Sequence, residues 1–193
     1  MRALKKTFCN LLKDLSLRSS KRNSLRDLAT LIVLSSLGGV TSVLVGYAGQ
    51  LLSSTTLFPF VTSQLLSGLH VFWLILAAIM VPMHGSATTA GALKGLIEAS
   101  LLSHLGLFSF LVSLLEGAIA DIVFAFLKRE HKTTIYVAGG LSSASNLLIV
   151  QLFFLPPLPI LIYALAYFAA FLSGLLFGGY LTTKVLKVIP ASL

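Results

Sequence analysis

The sequence predicts an all-α integral membrane protein: a six-transmembrane-helix bundle with both termini in the cytoplasm. Three observations predict it: a shortage of charge, a series of unbroken apolar runs, and the placement of the basic residues between them. Of the 193 residues, 10% are charged and 56% are hydrophobic, and the mean hydropathy is +0.96. A soluble domain carries about 25% charged residues. There are too few charges here to coat a globule of this length, so lipid must solvate most of the side chains. A membrane β-barrel would alternate apolar and polar residues, whereas these runs are continuous.

A span needs about 20 predominantly apolar residues to cross roughly 30 Å of hydrocarbon. Such runs cover 28–48, 63–82, 86–104, 107–127, 133–154 and 158–183. The third contains Lys94 and Glu98, and without it five spans would remain. The positive-inside rule decides for six. Eight of the 14 Lys and Arg precede residue 28; Lys128, Arg129 and Lys132 follow the fourth run, and Lys184 and Lys187 close the last. With six spans all of these fall on one side, while the segments 49–62, 105–106 and 155–157 opposite hold none. Removing the third span would put Lys128, Arg129 and Lys132 outside.

The net charge of +8 would suggest nucleic acid in a soluble protein. Placed beside the spans, it reads instead as a topology signal and an attraction to anionic lipid, with no nucleic-acid partner expected. Residues 1–27 form a basic N-terminal segment ahead of the six-span domain at 28–187. Lys13, Asp14 and Arg18 interrupt any apolar core there, so it is not a cleavable signal peptide. Leu4, Phe8, Leu11 and Leu15 recur at helical spacing among Lys5, Lys6 and Lys13, the pattern of a helix lying in the headgroup layer; a disordered tail is the alternative. Cys9 is the single cysteine, which excludes an intrachain disulfide and a Cys-based zinc site.

Helices in lipid associate through small residues that let backbones approach. The last run has Ala166, Ala170, Gly174 and Gly178, each four apart, a ridge suited to packing within the bundle. The first has Ser35 and Gly39, with Gly38, Ser42 and Gly46 on an adjoining ridge. That face suits either internal packing or docking of another membrane subunit.

Ionisable groups inside spans are costly and by default mark a functional site. At about 1.5 Å rise per residue, Glu98 lies roughly 9 Å from the outer end of its span, Lys94 roughly 15 Å and Glu116 roughly 13 Å. His70 and Trp73 come out at roughly 10 and 15 Å, and Asn146, Gln151, Tyr163 and Tyr167 fall within about 15 Å of the same side. These nine residues, from five spans, share the outer half of the membrane, whereas Asp121 stands nearly alone in the inner half. A pore or proton wire would spread polar groups through the whole thickness. The one-sided layer predicts a pocket open outward and closed below.

Lys94 and Glu98, four apart, share a helical face and can neutralise each other. Trp73, Tyr163 and Tyr167 offer flat surfaces for a ring or a cation. A small, polar, ring-bearing ligand matches that inventory. Asp121 fits a structural or helix-gating role better than ligand contact. His84, His104 and His131 fall in turns and receive no role. No GxxxxGK[ST] phosphate loop, HExxH or GxSxG occurs. The histidines and carboxylates have no metal-ligand spacing, and neither catalytic residue, metal nor cofactor is expected. A ligand-free membrane assembly subunit and an intramembrane enzyme are the competing classes.

The stretch from Gly68 to Phe126 contains GLHVFWLILAAIMV, GALKGLIEA and LLEGAIADIVFAF. It resembles the S components of energy-coupling factor (ECF) vitamin transporters, particularly the thiamine and hydroxymethylpyrimidine type. Matched residue by residue, the acid of that group's third span falls on Glu98, the Gln or Glu before Gly on Glu116, and the following acid on Asp121. The looser resemblance covers roughly 28–187, whereas His70 and Lys94 have no counterpart in it. It implies a substrate-binding subunit for a small vitamin or precursor, working with a transmembrane coupling protein and two cytoplasmic ATPases. It also implies that the small-residue ridge of the first span, through Ser35 and Gly39, faces the coupling protein.

Overall fold

The fold was analysed in a computed structural model that describes residues 2–56, 59–81, 83–101, 103, 105–129, 131–153 and 158–188, with side chains from Leu25 onward. The Pro-rich link expected at 155–157, His104 and the side chains of the N-terminal segment lie outside the described residues. The described secondary structure is helical throughout. Helix α1 runs Arg2–Ser54, so the basic segment and the first apolar run form one continuous helix. Short α2 (Pro59–Ser63) passes through a 3₁₀ turn (Gln64–Leu66) into α3 (Ser67–Met80). Then come α4 (Ser86–Ser100), α5 (Phe108–Phe126), α6 (Lys132–Phe153) and α7 (Ile160–Ser173). A π-helical stretch, Gly174–Leu181, continues α7 into α8 (Thr182–Val188).

Among the described residues, five helical segments are long and apolar enough to cross a membrane: Leu25–Ser54, Pro59–Met80, Phe108–Phe126, Lys132–Phe153 and Ile160–Val188. The protein is therefore a multi-pass membrane protein. The third expected span is the exception, since α4 has 15 residues rather than the expected 86–104 and spans only about 22 Å at helical rise. It packs against α1, α3 and α5. Its charged residues Lys94 and Glu98 are buried among those neighbours instead of facing lipid. The outward faces of the bundle carry large apolar side chains such as Leu44, Leu107, Phe126, Ile160 and Leu161, as a hydrocarbon solvent requires.

Glycines set how closely the helices approach. A methyl group at Gly91 would run into the Ser113 carbonyl, one at Gly117 into the Ala87 carbonyl, and one at Gly95 would stand 2.7 Å from Phe110 Cα. Helices α4 and α5 thus touch backbone to backbone. The ridge foreseen on the last span is likewise internal: Ala166, Ala170, Gly174 and Gly178 are buried. A methyl at Gly174 would collide with the Gly139 carbonyl of α6. The Ser173 hydroxyl donates to Leu65 O (2.7 Å) and accepts from Gly68 N–H (2.9 Å), tying the start of α3 to α7.

On α1 the buried positions Leu31, Ser35, Gly38, Gly39, Ser42 and Gly46 form one stripe. A methyl at Gly39 would lie 2.7 Å from Ile97 Cγ2, and one at Gly38 2.9 Å from Trp73 Cβ. Ser35 and Gly39 therefore face into the bundle in this conformation. The opposite face of α1, with Val33, Leu37, Val40 and Leu44, is exposed.

The α4–α5 contact has a measurable consequence. Gly91→Ala should lower stability in detergent by about 1–3 kcal/mol, because overpacking displaces backbone. Gly49→Ala, whose added methyl would meet nothing closer than 4.0 Å, should be neutral. Equal melting temperatures for the two variants would remove the backbone contact as a feature of the fold.

Candidate functional site

The close approach of α4 and α5 brings three buried charges together. Lys94 Nζ lies 2.6 Å from Glu98 Oε1 one turn along its own helix and 3.7 Å from Glu116 Oε2 on α5. It also donates to Ser113 Oγ at 2.8 Å, and Ser113 in turn donates to Glu98 Oε2 at 3.1 Å. From α6, Asn146 Nδ2 donates to Glu116 Oε1 at 3.1 Å. Lys94 is 1% exposed and Glu116 0%. An isolated charge at such depth costs several kcal/mol even after relaxation. Mutual pairing is what makes these positions tolerable.

The cluster forms the floor of a cavity of about 400 Å³ at one end of the bundle. Its walls come from positions 42–53 of α1, from α2 and the 3₁₀ turn, from the first turns of α3, and from the adjoining ends of α4, α5 and α6. All of these meet at the end where α1, α4 and α6 finish and α3 and α5 begin. His70, Lys94, Glu98, Glu116 and Asn146 line the cavity. Of the nine residues expected to form a site, the structure brings these five together around one space.

The other four lie elsewhere. Trp73 is one turn further along α3 from His70, packed beside Gly38 and edge-on to Phe72 with ring centroids 5.0 Å apart. The Tyr167 hydroxyl donates to Gln151 Oε1 at 2.9 Å, a tie between α7 and α6. Tyr163 stands edge-on to Phe60 at 6.2 Å, one ring behind the lining that Phe60 provides.

Several lining residues were not singled out from the sequence. Gln64, Ser42, Ser67 and Ser113 all face the cavity or its floor. Ser42 Oγ, buried on α1, has no hydrogen-bond partner among the described residues. An isolated serine in an apolar run carries little signal, because its hydroxyl is usually satisfied by its own helix. Gln64 alone, two residues into the second run, was discoverable by the same depth count that found the others.

At the opposite end of the bundle Asp121 takes a structural role. Its carboxylate accepts from Ala87 N–H (3.3 Å), Thr88 N–H (2.7 Å) and the Thr88 hydroxyl (2.7 Å), capping the first turn of α4 from the neighbouring helix. Among the described residues no group of three or more His, Cys, Asp or Glu is arranged to hold a metal ion.

The fold and the cavity define a class: a polytopic helical membrane protein with a charged pocket of about 400 Å³ at one end. The family model described as "ABC-type cobalt transport system, permease component" matches residues 26–146, well over half of the chain, and the chain belongs to that family. It is therefore a transport component and not an enzyme. The solved structure titled "Crystal structure of an S-component of ECF transporter" is similar to it, with a TM-score of 0.76 at 19% identity, covering 84% of this chain and 83% of that one. At that identity the likeness concerns the fold. No curated protein matches the chain.

The buried cluster makes a sharp expectation about stability. Lys94→Ala leaves two carboxylates facing each other without a cation and should cost about 3–5 kcal/mol, as breaking a buried pair does. Lys94→Met combined with Glu98→Gln restores the net charge of the cluster and leaves Glu116 its bond from Asn146, so it should recover part of the loss in thermal unfolding. A Lys94→Ala protein as stable as wild type would mean that water reaches the ammonium and that the floor drawn here is open.

Proposed function

We propose that this chain is the substrate-binding S component of an ECF-type importer and that its cavity takes a small polar organic molecule. The single observation that carries the reading is the ion cluster Glu98–Lys94–Glu116 set in the floor of the cavity. About 400 Å³ falls within the roughly 300–1,000 Å³ range of small-molecule sites. Two carboxylates against one ammonium leave one formal negative charge. Glu98, Glu116, Asn146, His70, Gln64 and Ser42 supply directional donors and acceptors. That set suits a ring with amino or cationic nitrogens. The sequence resemblance points the same way, to thiamine or a pyrimidine precursor.

The family description mentions cobalt, but the geometry argues for an organic cargo. The position between Glu98 and Glu116 that a divalent cation would take is held by the Lys94 ammonium, and His70 is the one imidazole among the described lining residues. Cobalt sites draw on several imidazole, carboxylate or thiolate ligands.

The sidedness follows from the charge map. The cavity end is bounded by segments without Lys or Arg, and Lys128, Arg129, Lys132, Lys184 and Lys187 belong to the other end. The positive-inside rule therefore turns the cavity mouth outward and both termini inward. With no phosphate loop of its own, the chain would work with a membrane coupling subunit and two cytoplasmic ATPases. In this conformation such a subunit meets the exposed face of α1; Ser35 and Gly39 become available to it only when α4 shifts away.

Purified protein should bind thiamine or an aminopyrimidine precursor in calorimetry without ATP. Glu116→Gln should stay folded and lose at least about tenfold in affinity, the value of one charged hydrogen bond. Cobalt(II) should give no saturable binding. Saturable cobalt binding, or no heat from a panel of vitamins and their precursors, would overturn the assignment.

A further inference from the structure

The ion cluster in the cavity floor is not symmetric. Lys94 Nζ lies 2.6 Å from Glu98 Oε1 and donates to Ser113 Oγ at 2.8 Å, but stands 3.7 Å from Glu116 Oε2, beyond hydrogen-bond reach. Ser113, fully buried on α5, has a single hydroxyl proton, and that proton goes to Glu98 Oε2 at 3.1 Å. Its lone pairs are therefore turned to the ammonium. The hydroxyl closes a ring with Lys94 and Glu98 and holds the ammonium on the α4 side of the floor. Glu116 receives Asn146 on Oε1, while its Oε2 is buried and accepts no hydrogen bond among the described residues. The unsatisfied atom of the floor is thus an acceptor on a carboxylate.

Nothing else in the lining offers an anion a seat. Among the described lining residues Lys94 is the one Lys or Arg, and the bounding segments 49–62, 105–106 and 155–157 contain neither. A helix start is the usual alternative, because its free N–H groups point outward. Helices α3 and α5 begin at this end, but Gly68 N–H is bonded to Ser173 Oγ at 2.9 Å. Ser109 N–H is bonded to Gly106 O and Phe110 N–H to Leu107 O, both at 3.2 Å. Ser42, Gln64 and Asn146 are neutral groups that serve either sign of charge. An anion that reached the third N–H of Lys94 would lie against Glu116 Oε2.

We propose that Ser113 is a positioning residue that commits Lys94 to Glu98. The cavity, left with an unanswered Glu116, then admits cationic or neutral polar cargo and rejects phosphate esters and carboxylates of the same size. The proposal rests on the substrate-binding reading for the role of the cavity, whereas the charge selectivity is measured without any vitamin.

In a Cys9→Ser background, which removes the single native cysteine, Val45→Cys places a reporter thiol on the α1 wall of the cavity. Trimethylammonioethyl and sulfonatoethyl methanethiosulfonate are similar in size and opposite in charge. Both are reacted with the protein in neutral detergent at about pH 8, which takes ordinary imidazole charge out of the comparison. Each rate is divided by that of the same reagent with mercaptoethanol. The cation should be preferred about tenfold or more, as one net negative charge acting within a low-dielectric cavity requires. Ser113→Ala should cut the preference at least about threefold, because the released ammonium turns toward Glu116 and the cavity. The Lys94→Met, Glu98→Gln protein keeps one negative charge but has no ammonium to direct. There the preference should stay high, and adding Ser113→Ala should no longer change it. Dependence on a second residue separates positioning from packing. A ratio near one in the Val45→Cys protein overturns the selectivity. Failure of both reagents to react also overturns it, since a space shut to solution selects nothing. An equal effect of Ser113→Ala in both backgrounds, or none in either, overturns the role of Ser113. The expected ratios in a protein that binds no vitamin would overturn the substrate reading and leave the selectivity standing.

Discussion

The Lys94 ammonium between two buried carboxylates is the constraint on which the rest of the bundle depends. Three ionised groups in the membrane interior are acceptable only if they touch, since each alone would cost several kcal/mol. Touching requires α4 and α5 to approach at backbone distance, because Glu116 is reached from across that contact. The approach in turn requires Gly91, Gly95 and Gly117, where any side chain would collide with the neighbouring backbone. The choice of three glycines on two facing helices is therefore a consequence of the electrostatics. The shortness of α4 follows as well. A helix carrying a lysine and a glutamate in its second half is poorly suited to lipid, and it is enclosed by α1, α3 and α5 instead of spanning at the surface.

Helix α4 also links the two ends of the molecule. Its C-terminal half furnishes the cavity floor, and its N-terminal turn is held by Asp121. About 10 Å of helical rise separates Ala87 from Lys94, a stiff distance within one uninterrupted helix. The apolar core between α3, α5 and α6, built from Val71, Ile75, Ala120 and Ala138 among others, is flanked by polar ties: the Ser67 and Ser143 hydroxyls lie 2.8 Å apart across α3 and α6, and Asn146 of α6 donates to Glu116 of α5.

Charge placement made most of the architecture legible from the sequence. Unbroken apolar runs gave the helices, and counting residues from their ends put Lys94, Glu98, Glu116, His70 and Asn146 at a common depth, where the structure brings them together. Depth is readable because helical rise is nearly constant; rotation about each helix axis is not. His70 and Trp73 lie three apart, yet about 60° of rotation separates them at 3.6 residues per turn. That is enough to set one against the cavity and the other against Gly38. Tyr163, Tyr167 and Gln151 were grouped by depth alone and sit around α2, α6 and α7. The same blindness applies to α1, whose small residues announced a close contact without naming α4 as the partner. The 15-residue length of α4 was hidden because residues 101–104 continue its apolar run in sequence, whereas its last turn closes at Ser100.

The asymmetry between the two ends gives the cluster its working logic. Lys94 offsets one of the two carboxylate charges, so the floor keeps one formal negative charge while remaining strongly polar in detail. On the proposed reading, a ligand with its own amino or cationic nitrogen would share Glu98 and Glu116 with that ammonium. Its charge then redistributes an existing set of ion pairs and creates no isolated one. Binding energy under these conditions comes chiefly from hydrogen bonds whose geometry matches Asn146, Ser42 and the free edges of the carboxylates. A bare metal ion offers no such match and would meet the repulsion of a fixed ammonium at contact distance. On the proposed substrate-binding reading, selection by shape and hydrogen bonding over raw charge would follow from the position of one lysine.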